Sequence, residues 1–409
     1  MEFDYSAARK HLLEIGACDR CIGRQFFRLF EGMDQGAIGS RVRQSETLAE
    51  AHNCETNEVI LKKDCPICAG LFLETGQMAE KAVELLANLD YTTFLVGCRV
   101  DKKLLAREET LWDEVGAMHC EPLKKDLVRQ IGLEIGGVTG KEVDFTHPDV
   151  TALADFTVGK LALEIHPLFV YGEYRKLVRG IPQTKWFCRK CRGRGCKQCD
   201  FTGKMYDESV EEIIAKPFLE ETGAKGEKFH GAGREDIDAT MLGWRPFVLE
   251  VQEPLLRFLD WGKMAEKVNA SAEGKVEVHE LRNSSKEEVR RLKAVRHDKT
   301  YEAIIECENE VSDSAIESLI KEFQGKEISQ RTPERVSHRR ADLVRKRVVH
   351  STKLERSGKN LRAVITAEAG TYIKELISGD SGRTKPAFTD FLGPCKCVEL
   401  NVLEVHTND

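Results

Sequence analysis

A multidomain protein of mixed α/β and α+β class is what this sequence predicts, and three observations predict it. The chain has 409 residues, more than one hydrophobic core usually organises, so roughly two to three domains are expected. Helix-like and strand-like patterns alternate through the first half, whereas short segments of alternating apolar and polar side chains dominate the second. Between the halves stands a stretch rich in cysteine and glycine, CRKCRGRGCKQC (188–199), with almost no apolar residues of its own. The division that follows is an accessory region over 1–185, a four-cysteine knot and linker over 186–205, and a second domain over 206–409. The sheet of that second domain is expected to be mainly antiparallel and flanked by helices.

The elements follow in order. AEKAVELLANL (79–89) has apolar residues at helical spacing, and YTTFLVGCRV (91–100) is rich in β-branched and aromatic residues, as strands are. Residues 101–140 read as helical and charged, 141–156 as a strand, a loop and a helix start, and 160–177 as strand-like, which makes a small α/β module over about 79–184. SVEEIIAKPFLEETG (209–223) predicts a helix broken before Pro217. Strands are expected at 245–252, 275–282, 301–308, 361–368 and 398–405, and helices at 284–296 and 312–325, the first with a serine cap and the second ending at Gly325.

Composition narrows the class of partner. Hydrophobic residues make up 41% and charged residues 32%, the balance of a soluble globular protein. No apolar run reaches the length of a membrane helix, and the first twenty residues lack the apolar stretch of a secretory leader, so a cytoplasmic protein without a membrane partner is expected. The net charge of −6 does not advertise a polyanion partner, but two local runs do. Lys185–Lys204 holds seven bases against one acid, and Arg331–Arg347 holds seven against two. Such runs are either solvated faces or surfaces for phosphates.

Eight of the fourteen cysteines fall in four C-x-x-C pairs. Cys188, Cys191, Cys196 and Cys199 form C-x2-C-x4-C-x2-C, in which each tight turn offers two thiolates and Gly193 and Gly195 let the turns meet. Cys18, Cys21, Cys65 and Cys68 suggest a second, split site. Four thiolates suit tetrahedral zinc in a structural role, and neither set has the open position or mixed ligands of hydrolytic zinc. The alternative is a set of redox or unliganded thiols.

The densest charge in the second half lies in FHGAGREDIDATMLGWRPFVLEV (229–251), where Arg234, Glu235, Asp236 and Asp238 crowd a glycine-flanked loop before a strand. Residue chemistry alone describes a charged loop beside a sheet. No Walker motif and no G-x-G-x-x-G after a strand is present, so neither a redox nor a nucleotide cofactor is expected.

GREDID followed by GWRPFVLEV resembles the catalytic loop of pseudouridine synthases. QRTPERVSHRRADLVRKR (330–347), GTYIKELISGDSGRTKP (370–386), YGEYRKLVRGIPQTKW (171–186) and the early cysteine pairs extend the resemblance over nearly the whole chain. The likeness is to the archaeal type of the tenth family, with its THUMP-like RNA-binding domain.

The resemblance implies an isomerase that converts two neighbouring uridines of the tRNA T-loop to pseudouridine. It implies Asp236 as the catalytic aspartate, with Asp238 as the alternative acid, and Arg234 as the wedge that replaces a flipped base. It implies Tyr301 as the face on which that base stacks, and Tyr372, Ile373, Lys374 and Arg383 on the substrate side, with Arg383 pairing with Asp236. Arg331, Arg335, Arg339, Arg340, Arg345, Lys346 and Arg347 become a basic thumb that grips tRNA phosphates. A monomer is expected, because one chain carries all of these modules. A non-catalytic tRNA-binding adaptor, or another THUMP-associated modification enzyme, is the competing expectation.

Overall fold

The structure, a computed structural model, describes residues 3–406, the side chains of His338 and Arg339 excepted. The chain divides into two compact units, Met1–His166 with Leu255–Arg257, and Pro167–Pro254 with Phe258–Asp409. No helix among the described residues is long and apolar enough to cross a membrane.

The first unit opens with helices Tyr5–Glu14, Asp19–Gln25, Gln35–Gln44 and Leu48–Asn53. Asp4, Asp34 and Thr47 cap three of them with side-chain oxygens, the preferred device for unsatisfied helical N–H groups. Helices Asp19–Gln25 and Gln35–Gln44 touch backbone to backbone. A Cβ on Gly39 would stand 1.7 Å from the Asp19 carbonyl oxygen, so nothing larger than glycine fits there. Beyond them lies a four-stranded sheet in the order Glu142–Val143, Thr93–Arg99, Val150–Asp155, Lys160–Ile165. Thr93–Arg99 runs parallel to Val150–Asp155, and helices Thr75–Leu86 and Leu123–Thr139 cover the sheet through Met78, Ala82, Phe94, Ile131 and Ile135. The helix start expected near 149–156 is strand, because Val150, Ala152 and Ala154 alternate onto the covered face.

The second unit is built on one large sheet. From one edge the strands run Thr384–Lys385, Lys326–Arg331, Val344–Ser357, Asn360–Ala367, Lys299–Cys307, Cys395–Val405, Thr240–Gln252, Leu168–Lys176, Val276–Asn283. Every pairing in that order is antiparallel except one. Cys395–Val405 runs parallel to Thr240–Gln252 over Asn401↔Thr240 and Val402↔Met241. On the same edge of Thr240–Gln252, the strand Gly226–Gly231 pairs with Phe247–Gln252. That edge therefore forks, and the chain leaving Gly231 re-enters at Thr240 inside the fork. The GREDID loop is the segment that makes this crossing.

Two expectations change here. The strand Leu168–Lys176, placed by sequence in the accessory region over 1–185, is the next-to-last strand of the second unit's sheet, and the division falls after His166. Alternation alone cannot tell which sheet a strand joins. The helix expected to break before Pro217 runs unbroken over Val210–Thr222. Ile214, Ala215 and Phe218 bury its face, and that burial outweighs the roughly 3 kcal/mol cost of an interior proline.

Candidate active site and metal centres

The loop 232–239 is held from below by charges whose pairing is not visible in the order of residues. The Glu235 carboxylate accepts the Tyr174 hydroxyl at 2.9 Å and lies 3.3 Å from the Arg245 guanidinium and 3.8 Å from the Lys176 ammonium. All three charged side chains are fully buried. Lys176 also donates to the carbonyls of Ile181, Asp236 and Ile237, and burial pushes its ammonium below the ordinary lysine range against the pull of Glu235. Gln183 donates to the Gly233 carbonyl at 2.9 Å, and Gly233 takes a positive φ of 78° that other residues adopt only with strain. Arg179 ties the Asp238 carbonyl to Leu400 and Asn401.

Glu235→Ala leaves two buried cations without a counter-charge. A loss of about 3–5 kcal/mol of unfolding free energy is expected in urea titration, the usual cost of breaking a buried pair. A change within about 0.5 kcal/mol, as for an ordinary surface residue, would show that the loop does not depend on this carboxylate.

Above this base, Asp236 opens on a cavity of about 260 Å³ that also meets Arg234, Tyr301, Tyr372, Ile373 and Lys374. These residues come from three separate segments of the chain. Tyr301 reaches the cavity from Lys299–Cys307 at its pairing with Ile365 and Val402, and packs on Met241 and Val402. Burial pushes its phenol up to about 12, so its ring is a neutral wall over the physiological range. Tyr372 precedes helix Ile373–Ser378, and its backbone is clamped at both ends by Gln330, at 2.9 and 3.0 Å. Ile373 is 3% exposed and belongs to the core. Lys374 binds Asp238 at 2.5 and 2.7 Å and stands 3.8 Å from Asp236. The Asp238 carboxyl, pushed up by partial burial, is carried below its ordinary value by Lys374.

The cation on Asp236 is not Arg383. Arg383 donates to the Thr332 carbonyl at 2.6 Å and pairs with Asp342 and Asp380, stitching the base of the thumb. Arg335 grips Asp236 instead, at 3.0 and 3.2 Å to its two oxygens, and its other side is held by buried Glu375 at 2.6 Å. Arg340 also lines the cavity. Other thumb residues have partners within the protein: Arg331 pairs with Asp342, Arg345 with Thr332, Lys346 with Glu327 and Arg347 with Glu368. The Arg339 side chain lies outside the described residues. Sequence reading counted Glu235 only as part of the loop's charge and missed Lys176, Arg245 and Glu375. A charged residue in an otherwise apolar stretch, Arg245 in TMLGWRPFVL, was the available signal.

The cysteines gather as two tetrads that could each hold a metal ion, with all four sulfurs of each within 4.8 Å of one another. Cys18 and Cys68 Sγ are 3.8 Å apart, and in the knot Cys188–Cys196, Cys191–Cys199 and Cys196–Cys199 stand at 3.9, 3.8 and 3.7 Å. A tetrahedral ion bonded to sulfur at about 2.3 Å requires sulfurs about 3.8 Å apart. Cys18, Cys21, Cys65 and Cys68 are buried in the core of the first unit, with the buried Arg24 guanidinium 3.8 Å from Cys21 to offset thiolate charge. In the knot, the N–H groups of Cys196 and Gly203 both donate to Cys199 Sγ at 3.3 Å.

Known proteins with this sequence pattern carry the same two-part plan. Residues 169–406 match the family model described as Pus10, C-terminal, and residues 78–155 match that described as Pus10 THUMP domain, archaeal. A tRNA pseudouridine synthase Pus10 of Methanothrix thermoacetophila is 39% identical, with 98% of this chain and 94% of that protein covered. The one of Methanocaldococcus jannaschii is 39% identical over 99% and 94%, and that of Methanothermobacter marburgensis 43% over 95% and 94%. A solved Cbf5–Nop10–Gar1 complex shares 57% of this chain and 48% of its own at 19% identity and a TM-score of 0.33, too distant to bear on the site. The class is thereby defined: the chain is an isomerase, a pseudouridine synthase with a THUMP domain. It belongs to the Pus10 family.

Proposed function

We propose that this chain isomerises uridine to pseudouridine in tRNA, at two neighbouring uridines of the T-arm, with Asp236 acting on the nucleoside and structural zinc in both cysteine tetrads. The observation that carries the catalytic part is Asp236 at the mouth of a cavity walled by Tyr301, with Arg335 across both carboxylate oxygens. The tRNA substrate is supported by the names of the relatives, and the T-arm by the motifs of the thumb and of GDSGRTKP.

The reaction breaks the C1′–N1 bond, turns the uracil and joins C5 to C1′. The proton on C5 is lost and N1 gains one, so the step is neutral in electrons and needs no redox partner. The target base must first leave its stack, at a cost of a few kcal/mol. Tyr301 gives it a face worth about 1–3 kcal/mol, and Arg234, on the same loop as Asp236, fills the vacated space. Asp236 acts as an anion, as nucleophile at C1′ or as base toward the ribose. Arg335 fixes the direction of its oxygens. Zinc supplies no chemistry in this scheme. It would hold the tetrads, and with them the surfaces that present the tRNA.

The test is an unmodified tRNA transcript incubated with the protein and no cofactor, with pseudouridine mapped by carbodiimide labelling and primer extension. Stops at adjacent T-loop positions are the expected result. Intact tRNA binding with no stops would replace the synthase reading with that of an adaptor.

Arg335→Ala separates aiming from gripping. Loss of one charged hydrogen-bond pair is expected to lower kcat by about 10–100-fold. KM should change little, because the other thumb cations remain. A raised KM with unchanged kcat would instead make Arg335 a phosphate contact, as the sequence alone suggests.

A further inference from the structure

Two cavities meet at Asp236. The second, about 210 Å³ and close in size to the first, is walled by Trp186, Gln183 and Pro182, and shares Arg234, Glu235, Asp236, Arg335 and Lys374 with its neighbour. These two acids and three cations therefore form a partition with a base-sized space on either side. The Trp186 ring is half-buried and is held in place by the root of the cysteine knot. Its carbonyl accepts from Met205 N–H at 2.8 Å, the next residue bridges to Lys204, and its indole meets the Tyr206 ring edge-on at 5.7 Å. The Arg234 guanidinium lies 5.9 Å from the indole centroid.

A polynucleotide that seats one uridine against Tyr301 must carry its next nucleotide away across a single phosphodiester link. The shared partition offers the Lys374 ammonium for that link, and the far side offers an aromatic face. We propose that the second cavity is a subsite for the base adjacent to the target uridine, stacked on Trp186, with the linking phosphate at Lys374. This rests on the reading that the chain acts on RNA. Stacking on an indole accepts any base, since every base has a π face, so the subsite senses that a neighbouring base is present rather than which base it is. Because the RNA strand has one polarity, the other uridine of an adjacent pair occupies the Trp186 side in only one of the two modifications.

The experiment uses tRNA transcripts carrying an abasic nucleotide on the 5′ or the 3′ side of the target uridine. Binding is read by equilibrium titration with Asp236→Asn protein, and product formation with wild type. One of the two abasic RNAs is expected to bind about tenfold more weakly than the intact RNA. Trp186→Ala should bind the intact and the abasic RNA alike, and Trp186→Phe should restore the difference. Equal binding of all three RNAs, or a penalty that persists in Trp186→Ala, overturns the subsite while leaving the synthase reading intact if wild type still forms pseudouridine. Failure of the intact RNA both to bind and to be modified overturns the synthase reading itself, and the subsite with it.

Discussion

Asp236→Ala lowers pseudouridine formation in a tRNA transcript by on the order of 10³-fold or more, the upper range for a group that handles the reacting atoms. Asp236→Asn does the same, because it is the charge and not the volume that is needed. Folding is spared in both. The Asp236 side chain is a third exposed, Arg335 keeps its buried partner Glu375, and the loop is held by backbone contacts to Lys176 that any side chain at 236 preserves. An unchanged melting temperature and retained tRNA binding beside lost turnover is thus the pattern that assigns chemistry to this carboxylate. Turnover by Asp236→Ala near the wild-type rate would transfer the role to Asp238, whose carboxylate already faces Lys374.

The second large effect concerns the metal. Cys65→Ser is expected to abolish the cooperative melt of the first unit, whereas Cys196→Ser leaves the main melt in place and loosens only the knot. The two tetrads differ in what surrounds them. Cys18, Cys21, Cys65 and Cys68 are buried within one apolar cluster that includes Leu12, Ile22, Phe26 and Val42, so losing an ion held there would open that cluster to water. Structural zinc supplies about 10–16 kcal/mol in small domains, more than most domains have in total. The knot adds no such core: Cys196 and Cys199 are half-buried, and Phe187 and Phe201 stand 59% and 70% exposed. Hydrogen exchange resolved by peptide distinguishes the two outcomes, and a chelating dye counts the zinc released. Equal protection in Cys65→Ser and wild type would show that the buried thiols pack without an ion.

Local spacing was legible because it is written in consecutive covalent bonds. C-x2-C pairs, the GREDID loop and the helices capped by Ser285 and Ser312 depend on neighbours within a few residues, and each is found where its residues predict it. The helix over Val210–Thr222 was misjudged at Pro217 for the converse reason, since a local cost was overridden by burial that the local sequence does not display.

What the sequence determined by itself, then, is the inventory: two metal-ready tetrads, an acid-bearing loop before a strand, two aromatic residues and a basic segment. The tertiary structure decided the pairings. Asp236 and Arg335 lie 99 residues apart, on the loop before Thr240–Gln252 and on the segment after Lys326–Arg331, and meet only in the folded chain. That geometry gives Asp236 to Arg335 and leaves Arg383 to Thr332 and Asp342. The same strand order carries Leu168–Lys176 into the catalytic sheet and buries Lys176 beside Glu235. Ion pairs form between whichever charges the fold brings within a few ångströms, and strand order is fixed by the summed burial of both sheet faces. No single residue of the loop carries that information.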